Sequence, residues 1–252
     1  AKSVVHELEK NQKNCFEVNV NGTINLLEAM TISGINKIIF SSTASVYGQN
    51  KKKSFKETHD LLPVNNYGIS KVICEEIIKN YSLNKSLNYV ILRYFNACGA
   101  DNDLEIGELK RPISHLIPTI ANNILKNQSS KIFGTDYSTF DGTCVRDYIH
   151  INDLAEAHII ILIKLLKSNF SDVYNLGAEK GYSVLNIIKE FENILGKKVK
   201  IKKTHKRDGD PSILIANAKK FYNKFNWKPK YSNINNIVKT EYFWREKINS
   251  SL

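Results

Sequence analysis

The stretch "NKIIFSS", residues 36–42, decides the fold class of this chain of 252 residues. Its apolar residues follow one another without alternation, which indicates a strand that is buried on both faces. A second such run is "NYVILRYFN" (Asn88–Asn96). A helical pattern over Asn14–Ser33 precedes the first run, and Gly34 ends it. Helices that alternate with buried strands over short connections predict an α/β fold with a doubly wound parallel sheet.

Polar side chains stand where both of these strands end. Ligands of doubly wound sheets bind at the carboxyl ends of the strands. We therefore expect Ser41–Ser45 and Tyr94–Asn96 to line one crevice.

Between the two strands lies "NNYGISKVICEEIIKNY" (Asn65–Tyr81), in which apolar residues recur at helical spacing. Tyr67 and Lys71 are four residues apart and therefore share a helix face. A free tyrosine has a pKa of about 10, and a nearby ammonium favours its ionised form. The spacing alone leaves two interpretations open, an ordinary surface pair and a general base with its tuning lysine.

The chain after Ala97 changes in character and predicts a second, smaller α/β lobe. Its patterns are those of a loop, four or more helices and several short strands. The predicted elements are helices at Ser114–Lys126, Asp153–Leu166 and Ser183–Leu195, strands at Lys131–Phe133, Val145–Ile149, Asp172–Gly177 and Lys198–Lys203, and terminal helices that hold Phe221 and Trp244.

Composition excludes several classes of function. The formal net charge is +11, but the lysines are scattered rather than arranged in a stripe, so we expect no nucleic-acid partner. The chain has only five arginines, which we expect at positions that require bidentate contacts. No apolar run approaches the roughly 20 residues of a membrane helix, so we expect no membrane association.

The four cysteines are widely spaced and form no CxxC pair. This spacing predicts reduced thiols and a cytoplasmic location. No histidine has cysteine or acidic partners at metal-ligand spacing, so no metal site is expected. We expect His150 and His158 to be core or helix-face residues.

Four motifs in this order carry a resemblance to a known family. They are "SSTASVYG", "YGISK", "RYFNACGA" and "DGTCVRDYIHINDLAEAH". Together they resemble the nucleotide-sugar epimerases of the extended short-chain dehydrogenase/reductase family, over about Lys2 to Trp244. The resemblance implies a Rossmann-like NAD-binding domain over residues 1–97, with returning elements from about 145 to 178. Residues 98–252 would mainly form the lobe that binds the nucleotide sugar.

The resemblance also implies roles for individual residues near the cofactor. Tyr67 matches the catalytic base, Lys71 the lysine that binds the nicotinamide ribose and lowers the pKa of the tyrosine, and Thr43 a hydroxyl relay. The implied cofactor is NAD. Further implied contacts with NAD are Lys2, Tyr94 and Phe95, and further implied contacts with the sugar are Thr43, Ala44, Ser45 and Asn96.

A second group of residues matches positions that bind the nucleotide. His115 and Leu116 match a contact with the substrate backbone, and the segment Lys131, Ile132 and Phe133 matches a strand beside the uracil. Arg146 and Arg207 match diphosphate-binding arginines, Asp210 a ribose contact, and Leu214 the position that adjusts room for an N-acetyl group. The alternative for Arg146 is a surface ion pair with Asp147 or Asp208.

The activity that this resemblance implies is interconversion of UDP-glucose and UDP-galactose through a 4-keto sugar, as part of galactose metabolism. Related alternatives are a 4,6-dehydratase and a UDP-glucuronate decarboxylase. The dehydratases have an acidic pair where this chain has Ala44 and Ser45, which disfavours elimination. The resemblance further implies a homodimer formed through the helices at Asn14–Ser33 and Tyr67–Tyr81.

The family's glycine-rich turn places the pyrophosphate of the cofactor on a helix amino terminus. This turn is absent from these 252 residues, which contain no GxxGxxG. We therefore expect that the amino-terminal strands of the sheet lie outside this sequence and that the segment alone does not bind NAD. A nucleotide-sugar-binding protein without turnover is the remaining alternative.

Overall fold

The computed structural model describes residues 2, 8–9, 11–48, 52–109, 112–207 and 210–250. Helices and strands alternate along most of the chain. In order they are α1 (Gln12–Phe16), α2 (Gly22–Ile32), β1 (Lys37–Thr43), β2 (Ser54–Phe55), α3 (Asn66–Lys85), β3 (Asn88–Tyr94), β4 (Asn96–Cys98), α4 (Leu116–Leu125), β5 (Ser130–Phe133), β6 (Val145–His150), α5 (Ile151–Lys167), β7 (Asp172–Leu176), β8 (Gly181–Ser183), α6 (Val184–Leu195), β9 (Ile201–Thr204), β10 (Ile213–Ala216), α7 (Lys219–Phe225) and α8 (Ile234–Ser250).

The contacts divide the chain into two compact units. The first comprises residues 1–94, 157–176 and 217–226, and the second comprises the remaining residues. The sequence placed a boundary at residue 97 and returned residues from about 145 to 178 to the first region. In the structure the returning segments are Ala157–Leu176 and Asn217–Asn226.

The first unit contains a parallel sheet with the strand order β1-β3-β7. Residues pair in register, so that Thr43 at the end of β1 lies beside Tyr94 at the end of β3. Helices α2 and α3 pack on this sheet through a cluster that includes Leu27, Ile78 and Ile91. The predicted α/β fold with a parallel sheet is confirmed.

In the second unit, β6 pairs in parallel with both β4 and β10, and β8 pairs with it in the antiparallel direction. A separate parallel pair consists of β5 and β9. Helices α4, α6 and α8 bury a common apolar cluster that includes Ile120, Phe191 and Ile237. The cap of α6 is a reciprocal capping box, in which Ser183 and Asn186 each accept from the other's backbone.

The structure corrects some element boundaries. The helix expected over Asn14–Ser33 is divided into α1, a π-helical turn at Glu17–Asn21, and α2. The strand expected to end at Asn96 is divided into β3 and β4. Strands β2, β8 and β10, which have two, three and four residues, were not predicted.

Other expectations from composition agree with the structure. All four cysteines are free, and three of them are buried. His150 is fully buried. Among the described residues, no helix is long and apolar enough to cross a membrane.

A buried ion pair ties α3 to the sheet of the first unit. The Arg93 guanidinium on β3 donates to both carboxylate oxygens of Glu75 on α3, at 3.1 and 2.7 Å. The Ser42 hydroxyl on β1 donates to the same carboxylate at 2.5 Å. Glu75 and Arg93 are 0% and 2% exposed. The two bonds from Arg93 to one carboxylate agree with the expectation that the few arginines occupy bidentate sites.

We predict that Glu75→Gln lowers the free energy of unfolding by about 3 kcal/mol, because it leaves the buried Arg93 charge without its partner. The matched control is Glu76→Gln, which removes an exposed pair with Lys79 and should change stability by about 0.5 kcal/mol or less. Urea denaturation measures both. Equal effects of the two substitutions would contradict a structural role for the buried pair.

Candidate functional site

The end of strand β1 supplies the first functional group. Thr43 is the last residue of β1, and its side-chain oxygen accepts from the backbone N–H of Ser45 at 3.2 Å. This bond caps a short 3-10 turn at Ala44–Val46. The hydroxyl of Thr43 is thereby held at the carboxyl edge of the parallel sheet, as the sequence predicts.

Tyr67 reaches Thr43 because the first turn of α3 packs directly against this 3-10 turn. Asn65 caps the helix by accepting from the N–H of Gly68 at 2.8 Å. A Cβ atom added at Gly68 would lie 2.6 Å from the Ser45 carbonyl oxygen. Only glycine therefore allows this approach, which brings the Thr43 side chain close enough to the Tyr67 hydroxyl to oppose the rise in its pKa that burial causes.

Lys71 lies one helical turn beyond Tyr67 and is buried. Its Nζ donates to the Ser41 carbonyl at 2.8 Å, and it lies 4.6 Å from the centre of the Phe40 ring and 5.9 Å from that of Tyr67. An ammonium carries three donors. Because the Ser41 carbonyl uses one of them, Lys71 retains donors that suit vicinal ribose hydroxyls.

Burial dominates the proton affinities of this pair. It raises the pKa of Tyr67, and the hydrogen bond from Thr43 opposes the rise only in part. Burial also lowers the pKa of Lys71. Lys71 is not among the groups that shift the pKa of Tyr67, and its role of lowering the pKa of the tyrosine in the complex with NAD stays a prediction.

Two predicted cofactor contacts have defined environments in the first unit. The Tyr94 hydroxyl is 2.8 Å from Ser41 Oγ and 2.5 Å from His158 Nε2. The backbone N–H of Lys2 donates to the Asn19 side chain at 2.7 Å, and its carbonyl accepts from the same side chain at 3.1 Å. Sequence reasoning missed Asn19, because its contact with Lys2 is 17 residues away along the chain.

In the second unit, Arg207 and Phe133 form one element of the predicted nucleotide site. Phe133 ends β5, which also carries Lys131 and Ile132. The Arg207 guanidinium carbon lies 3.9 Å from the centre of the Phe133 ring. This is a cation–π contact with the charged group above the aromatic face. A planar uracil and a phosphate would each find a matching group here.

Arg146, Asp210 and Leu214 form a second element. Leu214 on β10 pairs in register with Arg146 on β6, and the Arg146 guanidinium donates to Asp210 at 2.5 Å. The alternative pairing with Asp147 is wrong, because that carboxylate accepts from the backbone N–H groups of Ala178, Glu179 and Ala216. Asp208, the other proposed partner, lies outside the described residues.

His115 precedes α4, and Leu116 is the first residue of that helix. His115 Nδ1 is 3.0 Å from one carboxylate oxygen of Glu108. The other oxygen of this carboxylate is 3.4 Å from the buried Arg245 guanidinium. This fixes the ring at the amino terminus of a helix, where an anion is favoured. Asn96 is exposed at the start of β4, and Phe95 before it is buried.

The structure thus brings Thr43, Tyr67, Lys71 and Tyr94 together in the first unit. It brings Phe133 to Arg207, and Arg146 to Asp210 and Leu214, in the second. A tyrosine beside a strand-end hydroxyl, with a buried lysine one helical turn away, defines a domain of the short-chain dehydrogenase/reductase type.

Comparison with known proteins identifies the family within that class. Residues 1–177 match the model of the NAD dependent epimerase/dehydratase family. The chain is 41% identical over 245 residues to a UDP-glucose 4-epimerase of Lacticaseibacillus casei, a match that covers 97% of this chain and 74% of the relative. The chain belongs to the NAD dependent epimerase/dehydratase family.

Solved structures of similar proteins agree with this family assignment. A UDP-glucose 4-epimerase of Stenotrophomonas maltophila with bound NAD and formylated UDP-arabinopyranose superimposes with a TM-score of 0.95 at 33% identity, covering 100% of this chain and 76% of that one. The enzyme from Bifidobacterium longum in complex with NAD+ and UDP gives a TM-score of 0.92 at 33% identity, with the same coverage.

We predict that Gly68→Ala lowers turnover about 100-fold, because the added Cβ must displace Tyr67 from Thr43 and misplacement by about 1 Å costs that much. The control is Gly22→Ala, at a helix position where a Cβ meets nothing within 4 Å. That change should stabilise the chain by about 0.5–1 kcal/mol without affecting turnover. Unchanged turnover in Gly68→Ala would show that the close approach is dispensable.

Proposed function

We propose that this chain interconverts UDP-glucose and UDP-galactose by oxidation and re-reduction at C4 of the sugar. The observation that carries the proposal is the juxtaposition of Tyr67 with the Thr43 side chain at the end of a parallel strand, with buried Lys71 one turn away. The UDP-glucose 4-epimerases to which the chain is similar support the choice of substrate.

Tyr67 is the group that moves the proton. Its phenolic oxygen accepts the proton of the sugar 4-hydroxyl when C4 is oxidised, and it returns the proton when C4 is reduced again. Thr43 lies beside the phenol and is positioned to contact the same hydroxyl. Thr43 is buried and Tyr67 is half-buried.

The residues around Lys71 fit a nicotinamide nucleotide. Lys71 has donors left for ribose hydroxyls, and Tyr94 and Phe40 provide aromatic surface beside it. The chemistry that NAD supplies when bound is acceptance and return of a hydride at C4, together with a positive charge that favours the Tyr67 phenolate. Lys71 and Tyr67 would hold the ribose, and Lys2 would contribute a further contact.

The second unit would bind the UDP part of the substrate. Two guanidinium groups, Arg146 and Arg207, suit the two phosphates, because arginine binds phosphate in a bidentate manner. Phe133 offers a face for uracil, and Asp210 accepts from Arg146 and has capacity for a ribose hydroxyl. The remaining substrate contacts we propose are Ala44, Ser45, Asn96, His115, Leu116, Lys131, Ile132 and Leu214.

Elimination of water is the nearest competing reaction in this family. It requires acidic side chains next to the reacting C5 and C6, whereas Ala44 and Ser45 follow Thr43 here. Without a carboxylate at these positions, the turn holds no carboxylic general acid or base for proton transfer at C5. The turn at Ala44–Val46 therefore favours epimerisation over dehydration.

We predict that Tyr67→Phe lowers turnover by about 10²–10⁴-fold, the usual contribution of a general base, and leaves UDP affinity unchanged. Tyr81→Phe is the matched control, since Tyr81 lies on the same helix and contacts Glu28 at the surface. NMR analysis of the products from UDP-glucose and UDP-galactose, with NAD added, measures turnover. Normal turnover in Tyr67→Phe would refute the assignment.

We further propose that the chain acts in the cytoplasm as a homodimer formed through α2 and α3. Four free cysteines support a reducing compartment. Large apolar side chains on the two helices support the interface, since Leu26 is 52% exposed and Ile32 and Leu83 are each 85% exposed. Exposed apolar residues on neighbouring helices are typical of a subunit interface.

We predict that Leu26→Lys shifts the protein from dimer to monomer in light scattering, because it places a charge in the apolar interface. Leu162→Lys on α5 is the control, because Leu162 is similarly exposed at 50% but lies on another helix. A dimer that survives Leu26→Lys would locate the interface elsewhere.

A further inference from the structure

The Tyr137 hydroxyl is buried and has no hydrogen-bond partner among the residues that the structure describes. Buried polar groups are nearly always paired, and an unpaired one destabilises the fold. Tyr137 matches none of the positions assigned from the sequence. Its hydroxyl therefore requires an explanation that packing alone does not provide.

The loop that carries Tyr137 is held rigidly. The Tyr137 N–H donates to the Gly142 carbonyl at 2.9 Å, and the Thr139 hydroxyl donates to the Thr143 carbonyl at 2.7 Å. Gly142 has a φ of +78°, and a Cβ there would lie 2.2 Å from the Thr135 carbonyl oxygen. These contacts fix the backbone of the loop on both sides of Tyr137.

The ring of Tyr137 lies beside the residues that we assign to the nucleotide. A Cβ at Gly134, which directly follows Phe133, would lie 2.5 Å from Tyr137 Cε2. The hydroxyl also lies in the electrostatic field of Arg146 and Asp210. Neither group is hydrogen-bonded to the phenol in the described part of the chain.

The ionisation state of Tyr137 makes it a donor. Burial raises its pKa to about 12, so that the phenol keeps its proton at neutral pH. A neutral phenol beside a guanidinium presents an O–H to the same anion that the guanidinium attracts. The ligand atom that fits is therefore an acceptor oxygen carrying negative charge.

We propose that the Tyr137 hydroxyl donates a hydrogen bond to a phosphate oxygen of the nucleoside diphosphate that Arg146 and Arg207 bind. This proposal rests on the nucleotide-binding role assigned above to the second unit. Tyr137 is then a substrate-binding residue. Its hydroxyl, which has no partner among the described residues, donates a hydrogen bond when the nucleotide is bound.

The test is Tyr137→Phe, for which the proposal requires two effects together. The Kd for UDP should rise about tenfold, the usual effect of losing a hydrogen bond to a charged group, while the Kd for uridine stays unchanged. The melting temperature should not fall, because the change removes an unpaired polar atom. Titration calorimetry, NMR titration and thermal melting measure these quantities on the whole chain.

Tyr47→Phe is the matched control, because its buried hydroxyl donates to the Asn175 side chain at 2.7 Å and it lies in the first unit. It should lower the melting temperature and leave the Kd for UDP unchanged. An unchanged Kd for UDP in Tyr137→Phe overturns the proposal. Equal losses for UDP and uridine overturn it by assigning the bond to the nucleoside, and a melting temperature that falls as in the control overturns it by showing a structural role.

The wild-type chain separates this proposal from the proposed function. If the wild-type chain binds no UDP, both the proposed function and the Tyr137 proposal are refuted. If the wild-type chain binds UDP but does not epimerise UDP-sugars, only the proposed activity is refuted. The Tyr137 test then remains fully decisive. UDP binding that Tyr137→Phe does not weaken defeats the Tyr137 proposal alone.

Discussion

The arrangement of the first unit depends on the buried carboxylate of Glu75. This one group accepts from Arg93 on β3 and from Ser42 on β1, so that it joins a helix to two neighbouring strands. Tyr67 and Lys71 lie on the same helix, eight and four residues earlier. Because these hydrogen bonds are directional, they fix the position of α3 relative to the strand ends. Apolar packing alone would leave that position less defined.

The strand ends that position the tyrosine were predictable because they rest on local patterns. Unbroken apolar runs located β1 and β3, and parallel pairing then placed Thr43 beside Tyr94. The partner of Arg146 was not predictable in this way. Asp147 is adjacent in sequence, but its carboxylate is used by backbone N–H groups from distant loops, and the partner proves to be Asp210.

Close approaches of backbone were also invisible in the sequence. Nothing local distinguishes Gly68, which lets α3 touch the turn after β1, from Gly22, which touches nothing. Asn19 and Tyr137 were missed for the same reason, since each is important through contacts with residues far away along the chain. The family resemblance supplied roles for residues it matched, and the three-dimensional contacts supply those it did not cover.

Leu214 and Arg146 are backbone partners in a ladder that consists of two residue pairs. In the proposed function one of these side chains sets the room around the sugar and the other anchors the phosphates. Their positions are fixed by main-chain bonds that do not depend on the side chain at 214. Selection can therefore widen or narrow the sugar pocket at that position while the nucleotide anchor stays in place, which makes changes of sugar preference accessible by single substitutions.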